Sequence, residues 1–210
     1  MKSLNLVPAG ALVLTAALLA LIGCQEKAKP APEVAPSAAA PAAREAPKEE
    51  SLADKVRKAR SLEAMWTICH PLMEDRQAGG EENLGAACAS LYFLENGLPW
   101  SQVAIQKDET SPGLIMKNST KERGKRICAT GRIIEIHEDK SGRASNGLLS
   151  SYSGTLYHFE AFGSSGTLTE GGQGRLCGFV VGQFHYRNSG GGVGHAVDVL
   201  GVWDLPENKQ

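Results

Sequence analysis

Three residue types in this chain offer chemistry: cysteine, histidine and clustered glycine. Five cysteines (Cys24, Cys69, Cys88, Cys128, Cys177) and five histidines (His70, His137, His158, His185, His195) are spread along 210 residues. No histidine stands at zinc-binding spacing from another His or from a Cys, so no metal site is expected. Ser189-Gly190-Gly191-Gly192-Val193-Gly194-His195 is glycine-rich enough to present backbone N–H groups to an anion. It lacks the Lys-Ser/Thr that ends a phosphate-binding loop, and no helix starts there, so a flexible strand connection is the plain expectation. His185 and His195 flank that segment and face each other if the two flanking strands pair. Together with Asp198 they are the acid–base groups an enzyme would use here. Ser, His and Asp all occur, but no Gly-x-Ser-x-Gly nucleophile turn does, which counts against a hydrolase.

Cys24 belongs to a different context. Lys2 precedes an apolar stretch from Ala9 to Ile22, and the stretch closes on Leu21-Ile22-Gly23-Cys24. A basic start followed by a short apolar run is a secretory signal, too short to span a membrane as a helix. The Leu-Ile-Gly-Cys ending resembles the lipobox of bacterial lipoproteins. The resemblance implies cleavage after Gly23, a narrow residue suited to the peptidase, and alkylation of the Cys24 thiol by diacylglycerol. Two or three acyl chains make a permanent tether. Gln25 after the cysteine, where an Asp would resemble an inner-membrane retention signal, favours the outer membrane, facing the periplasm. The expected organisation is a signal peptide over 1–23, then the lipidated Cys and an Ala/Pro-rich linker over 24–50. That linker holds half of the ten prolines (Pro30, Pro32, Pro36, Pro41, Pro47) and reads as a semi-extended spacer.

Ser51 to Gln210 remain to fold, enough for one domain or two small ones. The net charge of −1 offers no basic face to nucleic acid. In an oxidising compartment the four remaining cysteines suggest disulfides, and three pairings are open. Residues 51–120 read as an α-helical hairpin region. Leu52, Val56, Ala59, Leu62, Met65, Trp66, Cys69 and Met73 follow helical spacing, with Pro71 set to bend or end the helix. Polar Glu74 to Glu82 is a connector. A second helix is expected from Glu81 to Glu95, stopped by Asn96-Gly97, with a short third element near Trp100 to Ile105. Cys69 and Cys88 then lie on facing surfaces of the hairpin, and their bridge is the first choice.

Beyond Lys121 the pattern changes to strands rich in β-branched residues and glycine. Arg126 to His137 is a long strand with Ile127, Ala129, Gly131 and Ile133 on one face, and a phase change marks a bulge near Ile133. Further strands are expected at Thr155–Phe162, Gly166–Glu170, Arg175–Tyr186 and His195–Trp203. In the fourth of these five, Leu176, Gly178, Val180, Gly182 and Phe184 are in phase. Mid-strand glycines suit a small, sharply coiled barrel.

Residues 121–205 resemble an OB-fold, of the anticodon-binding-like type found in bacterial envelope proteins. The segments that carry the resemblance are Gly124-Lys125-Arg126-Ile127-Cys128-Ala129-Thr130-Gly131-Arg132-Ile133 and Gly174-Arg175-Leu176-Cys177-Gly178-Phe179-Val180-Val181-Gly182. The cysteines in both are a departure from most such domains. In an OB barrel the first and fourth strands are antiparallel neighbours, so the resemblance implies a Cys128–Cys177 bridge pointing away from the interior.

The expected fold class is therefore α+β: an N-terminal helical hairpin followed by a five-stranded OB-like barrel. The resemblance places the glycine loop beside the ligand face, so Gly190, Gly191, Gly192, His185, Tyr186 and His195 are the candidate ligand-face residues. Tyr152, Tyr157, Phe159, Phe184, Tyr186 and Trp203 are enough aromatics for a stacking platform, though balanced charge argues for core and rim packing instead. The function expected is a non-catalytic binding or assembly module of the cell envelope, recognising a protein or glycan, with no cofactor and no nucleic acid. The alternatives are a hydrolase or metal-dependent enzyme near the 185–198 hairpin, and a purely structural protein.

Overall fold

The computed structural model describes residues 50–210; Cys24 and the segment around it lie outside the described residues. The helical layer opens with α1 (Leu52–Lys58) and α2 (Leu62–Cys69). These replace the single helix expected over 52–73. Ser61 explains the break: its hydroxyl accepts from the Ala64 N–H at 3.1 Å and starts a new helix. Ala59 before it is extended. Pro71 sits in a 3-10 turn, His70–Leu72. The chain then forms a two-residue strand, β1 (Arg76–Gln77), inside the segment expected to be a plain connector.

Next comes α3 (Leu84–Asn96), capped by Asn83, whose side chain accepts from Ala86 N–H at 2.9 Å. Gly97, at φ 77°, ends it in a backbone conformation that only glycine adopts without cost. Three short helices follow: α4 (Trp100–Val103), α5 (Pro112–Lys117) and α6 (Ser119–Glu122). A Cys69–Cys88 disulfide joins α2 to α3 with Cα atoms 5.5 Å apart.

The barrel consists of β2 (Arg126–Glu138), β3 (Ala144–Ser151), β4 (Leu156–Phe162), β5 (Gln173–Arg187) and β6 (Val193–Trp203). Neighbours run β2-β3-β4-β6-β5 and back to β2; all pairs are antiparallel except the parallel β4–β6. This closed order is that of the OB-fold, and the protein is an α+β molecule built on it. β1 adds a sixth strand, parallel to β5.

Two strand assignments need correction. Gly166–Glu170 is loop, and Ala144–Ser151 is the strand that sequence reading missed. The missed strand, Ala-Ser-Asn-Gly-Leu-Leu-Ser-Ser, contains no β-branched or aromatic residue, so nothing local marks it. The expected bulge occurs, with a register slip between Ile133 and Glu135. A second slip lies between Val180 and Gly182. It reverses the phase of β5, so Gly182 and Phe184 face outward and do not continue the row of Leu176 and Val180.

Two cores result. Inside the barrel, Ile127, Ile133, Leu149, Phe159, Val180 and Trp203 are buried, and Ile115 of α5 joins the same core. The Trp203 indole N–H donates to Ser145 Oγ at 3.1 Å. Outside it, Phe179 and Val181 of β5 and Leu200 and Val202 of β6 pack against Met65, Cys88 and Phe93 of the helices. The Cys128–Cys177 disulfide, directly cross-strand with Cα atoms 4.0 Å apart, borders this second core. Helices and barrel belong to one compact unit.

Candidate functional site

Strand alternation builds the site. On β4 the odd-numbered Tyr157 and Phe159 point inward, so His158 and Glu160 point outward. On β6, Val197 and Val199 point inward and Asp198 outward. The parallel register sets His158 opposite Asp198. Beyond the second bulge, Phe184 joins the same outer face, opposite Arg76 of β1.

Asp198 is fully buried, and it is the hub of this cluster. Its carboxylate accepts from Arg76 Nε and, at 2.6 Å, from Arg76 Nη2, a two-pronged ion pair. His158 Nδ1 lies 2.8 Å from the same carboxylate. Burial pushes the Asp198 carboxyl up, but the Arg76 guanidinium and the His158 hydrogen bond outweigh it and hold it below the usual aspartate range. Glu160 differs. Burial pushes its carboxyl up, and Arg76, whose Nη1 is 3.9 Å away, only partly offsets that. The His158 ring stacks on Phe184, with centroids 3.9 Å apart and planes within 8°.

Arg76, His158, Glu160 and Phe184 floor a cleft of about 620 Å³, and Asp198 is buried behind them. The far wall of the cleft is α3, through Ala87, Ser90, Leu91 and Leu94, and its mouth carries Glu81 and Glu82. Ser90 is buried and its hydroxyl has no hydrogen-bond partner. It is near enough to Glu160 to favour the ionised carboxylate, but no hydrogen bond closes between them.

The residues expected from sequence at the 185–198 hairpin lie elsewhere. His185 and His195 are cross-strand partners with ring centroids 4.7 Å apart. They occupy the opposite strand phase from Asp198, so these three side chains do not converge. Tyr186 shares the outer phase with Phe184, at 6.4 Å between rings. Gly190, Gly191 and Gly192 form an exposed turn whose N–H groups all go to Asn188: two to its side-chain oxygen, at 3.1 and 2.9 Å, and one to its carbonyl, at 3.0 Å. They are spent within the turn, and an anion would find none free. Tyr157, Phe159 and Trp203 are core, not platform. Among the described residues, no group of three or more His, Cys, Asp or Glu side chains is placed to hold a metal ion.

Sequence reading noted His158 and Asp198 without pairing them, and missed Arg76, Glu160 and Ser90. Arg76 lay in a polar connector, and only its pairing with β5 brings it to the barrel.

The architecture is thus an OB barrel, with a cleft between α3 and the outward residues of β1, β4 and β5. No protein-family profile and no curated protein matches the chain. Among solved structures it is similar to a mitochondrial single-stranded DNA binding protein from S. cerevisiae, Rim1. That match has 15% identity and a TM-score of 0.27, and covers 40% of this chain and 96% of the other. The fold assignment rests on the strand pairing itself.

Proposed function

We propose that this chain is a lipid-anchored module of the bacterial cell envelope, tethered through Cys24, probing the periplasm from the outer membrane. It binds a protein or glycan through the cleft between α3 and the β4 face, and it binds without catalysing. The cleft itself, walled by α3 with the unpartnered Ser90 hydroxyl and floored by the outer face of β4, carries this reading. Two disulfides in the described residues support export, since such bridges persist in oxidising compartments. The acidic mouth supports a partner other than nucleic acid, because Glu81 and Glu82 repel phosphates.

Two measurements test it. Cys24→Ala releases the protein from membranes; continued membrane partitioning of that variant overturns the anchor. A photo-crosslinking amino acid at Leu91, in the cleft wall, captures a defined partner from intact envelopes, while one at Gly191 does not. Capture from Gly191 alone moves the site to the loop, and capture from neither overturns the binding role.

The His158–Asp198 pair favours a second reading, because a buried carboxylate bonded to one imidazole nitrogen is how a general base is oriented. Ester or glycoside turnover that His158→Gln abolishes would establish an enzyme.

A further inference from the structure

We infer that the cleft takes a cationic side chain, the ammonium or guanidinium of a Lys or Arg on a partner protein, gripped between Ser90 and Glu160. This deepens the binding reading and rests on it.

Four observations converge. First, Ser90 Oγ is a buried polar atom in the cleft wall with no partner, at 7% residue exposure. Such an orphan costs free energy unless a ligand satisfies it, and a hydroxyl oxygen accepts readily from an N–H donor. Second, the Glu160 carboxylate has no cation nearer than Arg76 at 3.9 Å, and the Ser90 hydroxyl lies beside it. Third, the charges of the cleft do not balance. Arg76 is the one Lys or Arg among the lining residues; its two-pronged bond goes to Asp198, and Glu160 has only the looser approach of its Nη1 at 3.9 Å. Glu81, Glu82 and Glu160 remain for an incoming positive charge. Fourth, Ala87, Leu91 and Leu94 supply an apolar strip along the same wall. A Lys or Arg side chain matches both halves: its methylene stem lies on apolar surface while its head keeps polar partners. A neutral sugar would leave the carboxylates uncompensated, and an anion would be repelled.

The test uses the full mature chain in detergent micelles, followed by NMR. The probes are capped Gly-Lys-Gly, Gly-Arg-Gly and Gly-norleucine-Gly tripeptides and a neutral N-acetylglucosamine trisaccharide. The Lys or Arg peptide produces saturable shifts at Ser90, His158 and Glu160, weakening as salt screens the charges. Response to Lys alone assigns an ammonium site, and to Arg alone a guanidinium site. Glu160→Gln weakens binding tenfold or more. Glu81→Gln with Glu82→Gln, both exposed and harmless to folding, weakens it severalfold. Equal shifts with the norleucine peptide, or unchanged affinity in Glu160→Gln, overturn the inference. Shifts from the saccharide without any from the Lys or Arg peptide overturn it and leave the binding reading standing. If no probe shifts the face and the Leu91 crosslinker captures nothing, both fall.

Discussion

Arg76 and Asp198, 122 residues apart in the chain, form a two-pronged ion pair that ties β1 to the outer face of the barrel. The pair is dry on the aspartate side, so its value lies in completeness. Removing one partner leaves an uncompensated buried charge, at a cost of about 3–5 kcal/mol. Asp198→Ala is therefore expected to lower stability by that amount. Replacing both groups by Ala is expected to cost less than the single changes Arg76→Ala and Asp198→Ala added together. Urea unfolding of the four proteins measures the coupling directly. Strict additivity would show that the two side chains do not act as a pair.

The two outward carboxylates of the cluster give opposite pH dependences. Arg76 holds the folded-state value of Asp198 below its ordinary 3.8, so its stabilisation is full above that pH and is lost as pH falls further. Burial holds Glu160 above its ordinary 4.5, so its ionised form works against the fold at neutral pH. That penalty is relieved as pH falls from the raised value to 4.5. Thermal unfolding between pH 7 and pH 2.5 is expected to show a modest rise followed by a steep loss. Glu160→Gln removes the rise and raises stability at pH 7, and Asp198→Asn flattens the final loss. A Glu160→Gln protein less stable than the parent at pH 7 would contradict the assignment.

Much of the barrel was legible because barrel strands carry a period of two. Ile127, Ala129 and Ile133 announced β2, and the change of phase after Ile133 announced its bulge. Cys128 and Cys177 sat one step out of the inward phase, which put their bridge outside. Asn96-Gly97 marked the end of α3. What escaped depends on distant register. The slip at Val181 turns Phe184 outward, but Phe184 continues a plausible alternation, so the local pattern hides the reversal. β3 is made of small and polar residues and is a strand only because β2 and β4 flank it. The site joins Arg76, Ser90, His158, Glu160 and Asp198 from four elements, none of which carries a motif.

The two disulfides close loops of different size, and their stabilisation should rank accordingly. In the chain-entropy account, Cys128–Cys177, closing 49 residues, is worth about 4 kcal/mol, and Cys69–Cys88, closing 19, about 3 kcal/mol. The double replacement Cys128→Ala/Cys177→Ala is therefore expected to cost more than Cys69→Ala/Cys88→Ala. Chemical denaturation of both pairs under non-reducing conditions compares them. The bridges also leave Cys69, Cys88, Cys128 and Cys177 without free thiols, so alkylation of any of them in unreduced protein would contradict the pairing.

Gly131 sits where β2 passes between two partners, opposite Ser151 of β3 and Gly174 of β5. A Cβ there would stand 2.7 Å from the Ser150 carbonyl carbon and the Ser151 Cα, closer than real Cβ atoms approach. Those neighbours are backbone atoms held in the barrel ladder, so they cannot swing aside as a side-chain end would. Gly131→Ala must push β3 away from β2 and is expected to cost more than about 3 kcal/mol, at the severe end for a single added methyl. Gly113 in α5 provides the contrast. It has open space around its Cα and no positive φ, so Gly113→Ala should stabilise the protein by about 0.4–1 kcal/mol through the unfolded chain. Opposite signs for the same chemical change, read from two thermal melts, would confirm that strand approach at Gly131 sets the barrel's closure; a neutral Gly131→Ala would show that the barrel breathes there.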